Sequence, residues 1–172
     1  MKNVLDREIP VTIDGYYKKV QPFKGISNAS KEITKTPVKI TSMSPRGKKV
    51  VSDLKEAIKK AGLKDGMTIS FHHHLRNGDY VLNMVIDEIA SMGIKDIKVA
   101  ASSVFPVHAS LIDHIKEGVV TGLYASYISG PVGEAISYGL LDKPVIMHTH
   151  GGRARAIEAG DLKIDVAFIA AP

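Results

Sequence analysis

The stretch MTISFHHHLRNGDYVLNMVIDEIASMGIKDIKVAA, residues 67–101, decides the fold. Its first five residues form a short apolar run rich in β-formers, which predicts a strand. Residues 80–92 then predict a helix that ends at Gly93, and residues 95–101 predict a second strand. Two apolar strands joined through a helix are typical of a unit with a parallel sheet.

The same alternation extends to both sides of this unit. Upstream, Ser52 is the predicted N-cap of a helix whose apolar residues follow the 3.6-residue period and which ends at Gly62. Downstream, helices are predicted at residues 108–116, 131–139 and 151–160, and strands at residues 119–124, 144–147 and 165–170. The strands are uniformly apolar, which indicates burial on both faces. We therefore predict an α/β domain over residues 49–172, with an open, mostly parallel sheet and helices on both faces.

The first 48 residues differ from the rest of the chain. Residues 1–50 hold 11 Lys or Arg against 4 Asp or Glu, whereas the remainder is nearly neutral. We predict a basic N-terminal arm with one or two short extended pieces, which docks on a partner or wraps the domain; a solvated leader is the alternative. Because no stripe of Lys and Arg is interleaved with stacking aromatic residues, we expect no nucleic-acid partner.

Several classes of protein are disfavoured by composition. The 172 residues contain no cysteine, which excludes a disulfide framework, a thiolate metal site and a thiol nucleophile within them. No apolar run approaches the length of a membrane span, and the N-terminus lacks the apolar core of a signal peptide. We expect a cytoplasmic protein that does not enter the membrane.

In such a sheet the strand-to-helix loops lie at one edge, where ligands bind. The loop HHHLRNGD, residues 72–79, offers imidazoles, an arginine and a backbone amide at a helix N-terminus, which favours an anion or a thioester oxygen. The predicted binding residues are His72, His73, His74, Arg76, Asn77 and Gly78. Zinc or iron on the histidines is the alternative, although no carboxylate lies at a recognised ligand spacing. A structural role for at least one histidine also remains open.

The next two loops are less specific. ASSVFPVHAS, residues 101–110, contains serines and His108 but no G-x-S-x-G elbow, so we predict no hydrolase triad there. In YISGPVGEAISYG, residues 127–139, Gly130 and Gly133 would let the backbone approach a ligand closely. Glu134 is predicted to lie in the first turn of a helix, where the helix dipole stabilises a carboxylate. Alternatively, Glu134 acts as a general base or binds a ligand hydroxyl.

The loop MHTHGGRARAIEAG, residues 147–160, indicates an anionic ligand most strongly. Two arginines are predicted at a helix start, where they oppose the helix dipole, and a nearby anion would offset this. Arginine also suits carboxylate or phosphate recognition. A salt bridge to a neighbouring acid is the alternative. The predicted binding residues are His150, Gly151, Gly152, Arg153 and Arg155, with His148 on the same face of the strand end as His150.

HHHLRNGD, SYISGPVGEAIS and THGGRARAIEAG, followed by DVAFIAAP, closely resemble the alpha chains of citrate lyase. The likeness runs from about residue 66 to residue 172 and extends into the arm through IPVTIDGY and KITSM; the ordered set is specific, and each motif alone is weak. It implies a CoA-transferase (NagB/RpiA-like) fold of two similar halves, of which this chain holds the N-terminal part of the first. The chain also ends directly after a predicted strand, where a returning helix would normally follow, so we expect an incomplete domain.

The resemblance also implies an activity and partners. A citrate CoA-transferase exchanges the acetyl group of a thioester on an acyl-carrier (gamma) subunit for citrate, giving citryl-thioester and acetate. A beta (lyase) subunit then cleaves citryl-thioester to oxaloacetate and acetyl-thioester. The thioester belongs to a CoA-like prosthetic group on the gamma subunit, and no metal is expected.

This chemistry needs cations for the spectator carboxylates of citrate and donors for an oxyanion. Arg76, Arg153 and Arg155 are candidates for the first role. Related CoA-transferases use a glutamate nucleophile; Glu134 is the candidate here, but the resemblance does not assign it, and the catalytic residue stays open. A metal-dependent hydrolase that uses the histidines and a non-catalytic scaffold are the alternative functions, and the chain alone could be inactive.

Overall fold

The computed structural model describes residues 1–22, 50–72 and 79–170. The helices are α1 (Leu54–Ala61), α2 (Val81–Ser91), α3 (Leu111–Lys116), α4 (Gly130–Ser137) and α5 (His150–Glu158), with a 3-10 helix at Pro106–His108. The strands are β1 (Thr68–His72), β2 (Ile97–Ala101), β3 (Ser103–Val104), β4 (Val120–Ala125), β5 (Tyr127–Ile128), β6 (Ile146–Met147) and β7 (Val166–Ile169).

Five strands form the main sheet in the order β6-β4-β2-β1-β7, and each neighbouring pair is parallel. The predicted open parallel sheet is therefore confirmed. The sequence analysis missed a second, two-stranded parallel sheet formed by β3 and β5. Each of these strands has only two residues, which is too short to produce a recognisable period.

The strand order explains why helices lie on both faces. The chain advances from β1 through β2 and β4 to β6, and then returns across the sheet to β7. Because such crossovers are right-handed, α5 must lie on the face opposite α2, α3 and α4. The packing agrees: Val99 belongs to the main core with Ile86 of α2 and Leu111 of α3, whereas the next residue, Ala100, packs on the other face against Ala156 of α5.

Three predicted helix starts differ from the observed ones, two by one residue and one by three. Asp53, not Ser52, is the N-cap of α1, since its Oδ1 atom accepts the Glu56 N–H at 2.8 Å while the Ser52 hydroxyl donates to Glu56. α5 begins at His150 because the Thr149 hydroxyl caps it. The predicted helix at residues 108–116 is divided into the 3-10 helix and α3.

Residues 1–22, the described part of the predicted arm, contact the domain. Val20 donates its N–H to the Val11 carbonyl at 2.8 Å, which closes a loop. Within this loop Lys18 pairs with Asp161, which follows α5, and Gly15 lies against Lys143. The predicted arm boundary at residue 48 lies outside the described residues. Among the described residues, no helix is long and apolar enough to cross a bilayer.

Candidate functional site

The carboxyl ends of the strands and the start of α5 meet at one edge of the main sheet. On the α5 face of this edge lie five residues that we name the rim site: Ser70, His72, His148, Gly151 and Arg153. Ser70 and His72 share this face because strand side chains alternate and Phe71 between them points into the main core. The right-handed parallel topology thus collects polar residues from the ends of β1 and β6 and from α5.

Arg153 reaches from α5 back to the middle of the sheet. Its Nη2 atom donates to the Ser70 hydroxyl and to the Ala100 carbonyl, each at 2.8 Å. Burial lowers the pKa of its half-buried guanidinium. Within residues 1–22, 50–72 and 79–170, no carboxylate forms an ion pair with Arg153. A positive charge is therefore held at the sheet by neutral partners.

Arg155 has different surroundings. Its Nη1 atom lies 3.5 Å from Oδ2 of Asp161, so the alternative of a salt bridge to a neighbouring acid is realised for this arginine. The expectation that both arginines open the helix is wrong. Because α5 begins at His150, Arg153 is its fourth residue and Arg155 lies in the last turn, where the helix dipole favours a cation.

His148 connects the end of β6 to the rest of the rim site. Its N–H donates to the Ala125 carbonyl at 2.9 Å, which continues the pairing between β6 and β4. Burial, followed by the charge of Arg153, lowers the pKa of its imidazole, and Asp161 opposes this effect. The ring is therefore neutral at pH 7 and adds no second positive charge beside Arg153. His150 is exposed at the first position of α5.

The two glycines of α5 have different roles. A Cβ at Gly152 would lie 2.9 Å from the Thr149 hydroxyl oxygen, the atom that accepts the Gly152 N–H at 2.9 Å. Gly152 therefore makes room for the cap. A Cβ at Gly151 would meet no atom of the described residues within 4 Å. In the described part of the structure the space beside the Gly151 Cα is therefore open, as close approach by a ligand would require.

The predicted residues of the loop at residues 127–139 do not belong to the rim site. Gly130 has a φ of +68°, and a Cβ there would lie 2.8 Å from Cγ of Pro106, so internal packing explains this glycine. A Cβ at Gly133 would make only ordinary contacts with Ile128, at 3.5 Å or more. The prediction that Glu134 lies in the first helical turn is wrong: α4 begins at Gly130, and Glu134 is its fifth residue, with an exposed side chain.

His108 anchors backbone rather than assisting a serine. The ring is fully buried, its Nδ1 atom accepts the Phe105 N–H at 3.0 Å, and its Nε2 atom lies 3.0 Å from the Asp79 carbonyl. Nε2 therefore carries the proton and donates to that carbonyl. Among the predicted residues of the first loop, His72 is exposed at the end of β1; His73, His74, Arg76, Asn77 and Gly78 lie outside the described residues. No three described His, Asp or Glu side chains are grouped closely enough to hold a metal ion.

Ser70 is the residue of the rim site that the sequence analysis did not single out. Its one signal is a hydroxyl inside the apolar run MTISF. A lone serine in a strand is usually only a tolerated polar residue, and its contact with Arg153 spans 83 positions of the chain.

Comparisons with known proteins agree on one family. The family model for citrate lyase, alpha subunit (CitF), matches residues 47–172. The citrate lyase alpha chain of Haemophilus influenzae is 50% identical over 131 residues, which are 76% of this chain and 26% of that protein. The alpha chain of Escherichia coli K12 is 51% identical over 127 residues, which are 74% of this chain and 25% of that protein. This chain thus spans about a quarter of the length of these relatives.

A solved structure is similar over nearly the whole chain. It is described as the alpha subunit of citrate lyase from Streptococcus mutans in complex with citrate. The two sequences are 50% identical, and the structures superpose with a TM-score of 0.88. The superposition covers 99% of this chain and 33% of the Streptococcus mutans chain.

Proposed function

The chain belongs to the citrate lyase alpha subunit family, and we propose that its rim site holds citrate for exchange with the acetyl group of a thioester. The Streptococcus mutans relative is described in complex with citrate, which supports a tricarboxylate as the ligand. The chain corresponds to a quarter to a third of its relatives, so the activity proposed here belongs to the protein of which it forms part.

Arg153 carries this proposal. A half-buried guanidinium whose described partners are all neutral lacks a counter-charge, and burying a cation without one is unfavourable. A carboxylate of citrate would supply that charge and accept charge-assisted hydrogen bonds. The His148 imidazole, whose pKa is lowered, does not supply this negative charge, so citrate can act as the counter-ion of Arg153. The open space that the described residues leave beside the Gly151 Cα allows citrate to approach the start of α5.

The chemistry is a balanced acyl exchange. One citrate carboxylate attacks the carbonyl carbon of the acetyl-thioester, and the thiolate leaves as a mixed anhydride forms. The thiolate then attacks the citryl carbonyl of the anhydride, and acetate leaves. In this reaction Arg153 orients a spectator carboxylate, and N–H groups at the start of α5 are the available donors for a developing oxyanion. No protein nucleophile is required.

We propose that the thioester is carried by the CoA-like prosthetic group of a gamma (acyl-carrier) subunit, and that a beta subunit performs the subsequent cleavage to oxaloacetate. Within the same proposal the assembly is a cytoplasmic multi-subunit complex. The family membership supports these assignments.

Isothermal titration of citrate into the full-length protein of which this chain forms part tests the proposal. We expect binding that weakens at least about tenfold in Arg153→Ala, the loss of one charge-assisted contact. Arg155→Ala is the matched control because Arg155 already has a carboxylate partner, and it should change the Kd less than about threefold. A full-length wild-type protein that binds no citrate, or an Arg153→Ala variant that binds it unchanged, would contradict the proposal.

A further inference from the structure

Ser70 and Ala100 contact the same nitrogen of Arg153. Nη2 donates to both the Ser70 hydroxyl and the Ala100 carbonyl, which occupies its two N–H groups. The other three N–H groups of the guanidinium, on Nε and Nη1, have no hydrogen-bond partner in the described part of the chain. One end of the group is thus fixed to the sheet, and the rest is available.

The two contacts act differently on the side chain. The Ala100 carbonyl belongs to the backbone of a central strand, so it holds its position whatever the side chain does. A single bond to it leaves the planar group free to rotate about that bond. The second bond, to Ser70 on the neighbouring strand β1, defines the plane of the guanidinium and therefore the directions of the remaining N–H groups.

We propose that Ser70 is a positioning residue for the acyl exchange: its hydroxyl holds the Arg153 guanidinium in the orientation in which Nε and Nη1 receive a carboxylate of citrate. This inference rests on the proposed function of Arg153. Ser70 does not touch the substrate; it reduces the rotational freedom that Arg153 would otherwise lose when citrate binds.

Citrate titrations of three variants test this role. Ser70→Ala should raise the Kd for citrate by about four- to tenfold, as expected when a side chain that was held in place must instead be ordered on binding. Ser70→Thr keeps the hydroxyl and should stay within about threefold of wild type. Ser137→Ala is the matched control, because that serine donates to the Gly133 carbonyl within α4 and away from Arg153. Its Kd should equal that of wild type.

A second measurement tests, in the absence of citrate, whether Ser70 holds the Arg153 guanidinium in place. Phenylglyoxal modifies accessible guanidinium groups, and peptide mass spectrometry follows the rate at Arg153. We expect faster modification in Ser70→Ala than in wild type and Ser70→Thr, with Arg155 as the internal reference. Circular dichroism establishes that each variant is folded.

The outcomes separate the two proposals. Citrate binding that is lost in Arg153→Ala but unchanged in folded Ser70→Ala would overturn the positioning role alone. A full-length wild-type protein without citrate binding would overturn the proposed function, and the modification rate would then decide whether Ser70 positions Arg153. Equal rates in wild type and Ser70→Ala would overturn that role as well.

Discussion

The carboxylate of Asp161 lies 3.5 Å from Nη1 of Arg155 and also pairs with Lys18 of the N-terminal arm. The Asp161 side chain is only 13% exposed, whereas the two cations are about half exposed. One largely buried carboxylate thus joins α5 to the arm. Tyr17 lies in the same cluster, where burial, followed by the charge of Asp161, raises the pKa of its hydroxyl to about 12.

We expect Asp161→Asn to lower the free energy of unfolding by about 1–2 kcal/mol, because two partly desolvated cations lose their shared counter-charge. Urea denaturation measures this change. Asp113→Asn is the matched control, since the pair between Asp113 and Lys116 is exposed on both sides and should contribute less than about 0.5 kcal/mol. Equal effects of the two substitutions would show that Asp161 does not join the arm to α5.

The two glycines of α5 should respond oppositely to alanine. Gly152→Ala forces the Thr149 hydroxyl out of its capping position and should cost about 0.5–2 kcal/mol of stability. Gly151→Ala meets no neighbour within residues 1–22, 50–72 and 79–170 and should stabilise the chain by up to about 1 kcal/mol, because alanine is the better helix former. Thermal unfolding distinguishes the two.

Gly151→Ala also tests the approach of ligand to the start of α5. The added methyl group would occupy the space that the proposed citrate site uses, so we expect weaker citrate binding in a variant that is more stable than wild type. Unchanged binding would place the ligand away from this backbone.

Stability should depend on pH through His148. Burial and the charge of Arg153 hold the pKa of its imidazole below the ordinary 6.5. As the pH is lowered, the imidazole of the unfolded chain therefore takes up a proton at a higher pH than that of the folded chain. The stabilisation that depends on a neutral His148 is complete above about pH 6.5 and is lost as the pH falls through the folded pKa. Urea denaturation between pH 5 and 7.5 should show a smaller loss in His148→Gln than in wild type. If the variant and wild type showed the same pH profile, protonation of His148 would not be the cause of the loss of stability.

Asp165 should hold the start of β7 against β1. Its Oδ2 atom accepts the Thr68 N–H and its own N–H donates to the Thr68 carbonyl, each at 2.9 Å. Burial raises the pKa of Asp165, but hydrogen bonds from Lys163 and from Thr68 outweigh it, and the net pKa lies below the ordinary value. The stabilisation that the ionised Asp165 carboxylate provides is present at neutral pH and is lost as the pH falls through its folded pKa.

We expect Asp165→Ala to cost about 1–3 kcal/mol, since a part-buried N–H of Thr68 loses its acceptor. Hydrogen exchange should accelerate at the amides of β7 and change little at β4, because β2 and β1 lie between these two strands in the sheet. Asp165→Asn keeps an acceptor oxygen and should retain most of the protection. Uniform acceleration throughout the sheet would indicate a global rather than a local effect.

Local pattern was sufficient for the architecture. Mainly apolar runs in residues 67–71 and 95–101 predicted strands that the structure places at Thr68–His72 and Ile97–Ala101. The expected burial on both faces is nearly complete in β2, whereas burial alternates along β1 and β7. The same reasoning overlooked β3 and β5, whose two-residue pairing depends on where the two chain segments meet. It also began α5 at Gly151 instead of His150, because the capping hydroxyl of Thr149 was not recognised.

The sequence by itself determined that this chain forms a parallel α/β sheet, because the pattern of apolar residues is a local property, and from loop composition it predicted anion-binding residues at one edge of that sheet. Only the tertiary structure separated Arg153 from Arg155. Residues two positions apart in a helix point about 200° apart around its axis, so one arginine turns to the sheet and Ser70 while the other turns to Asp161. The position of the helix start and the distant segments that α5 packs against decide which arginine takes which partner.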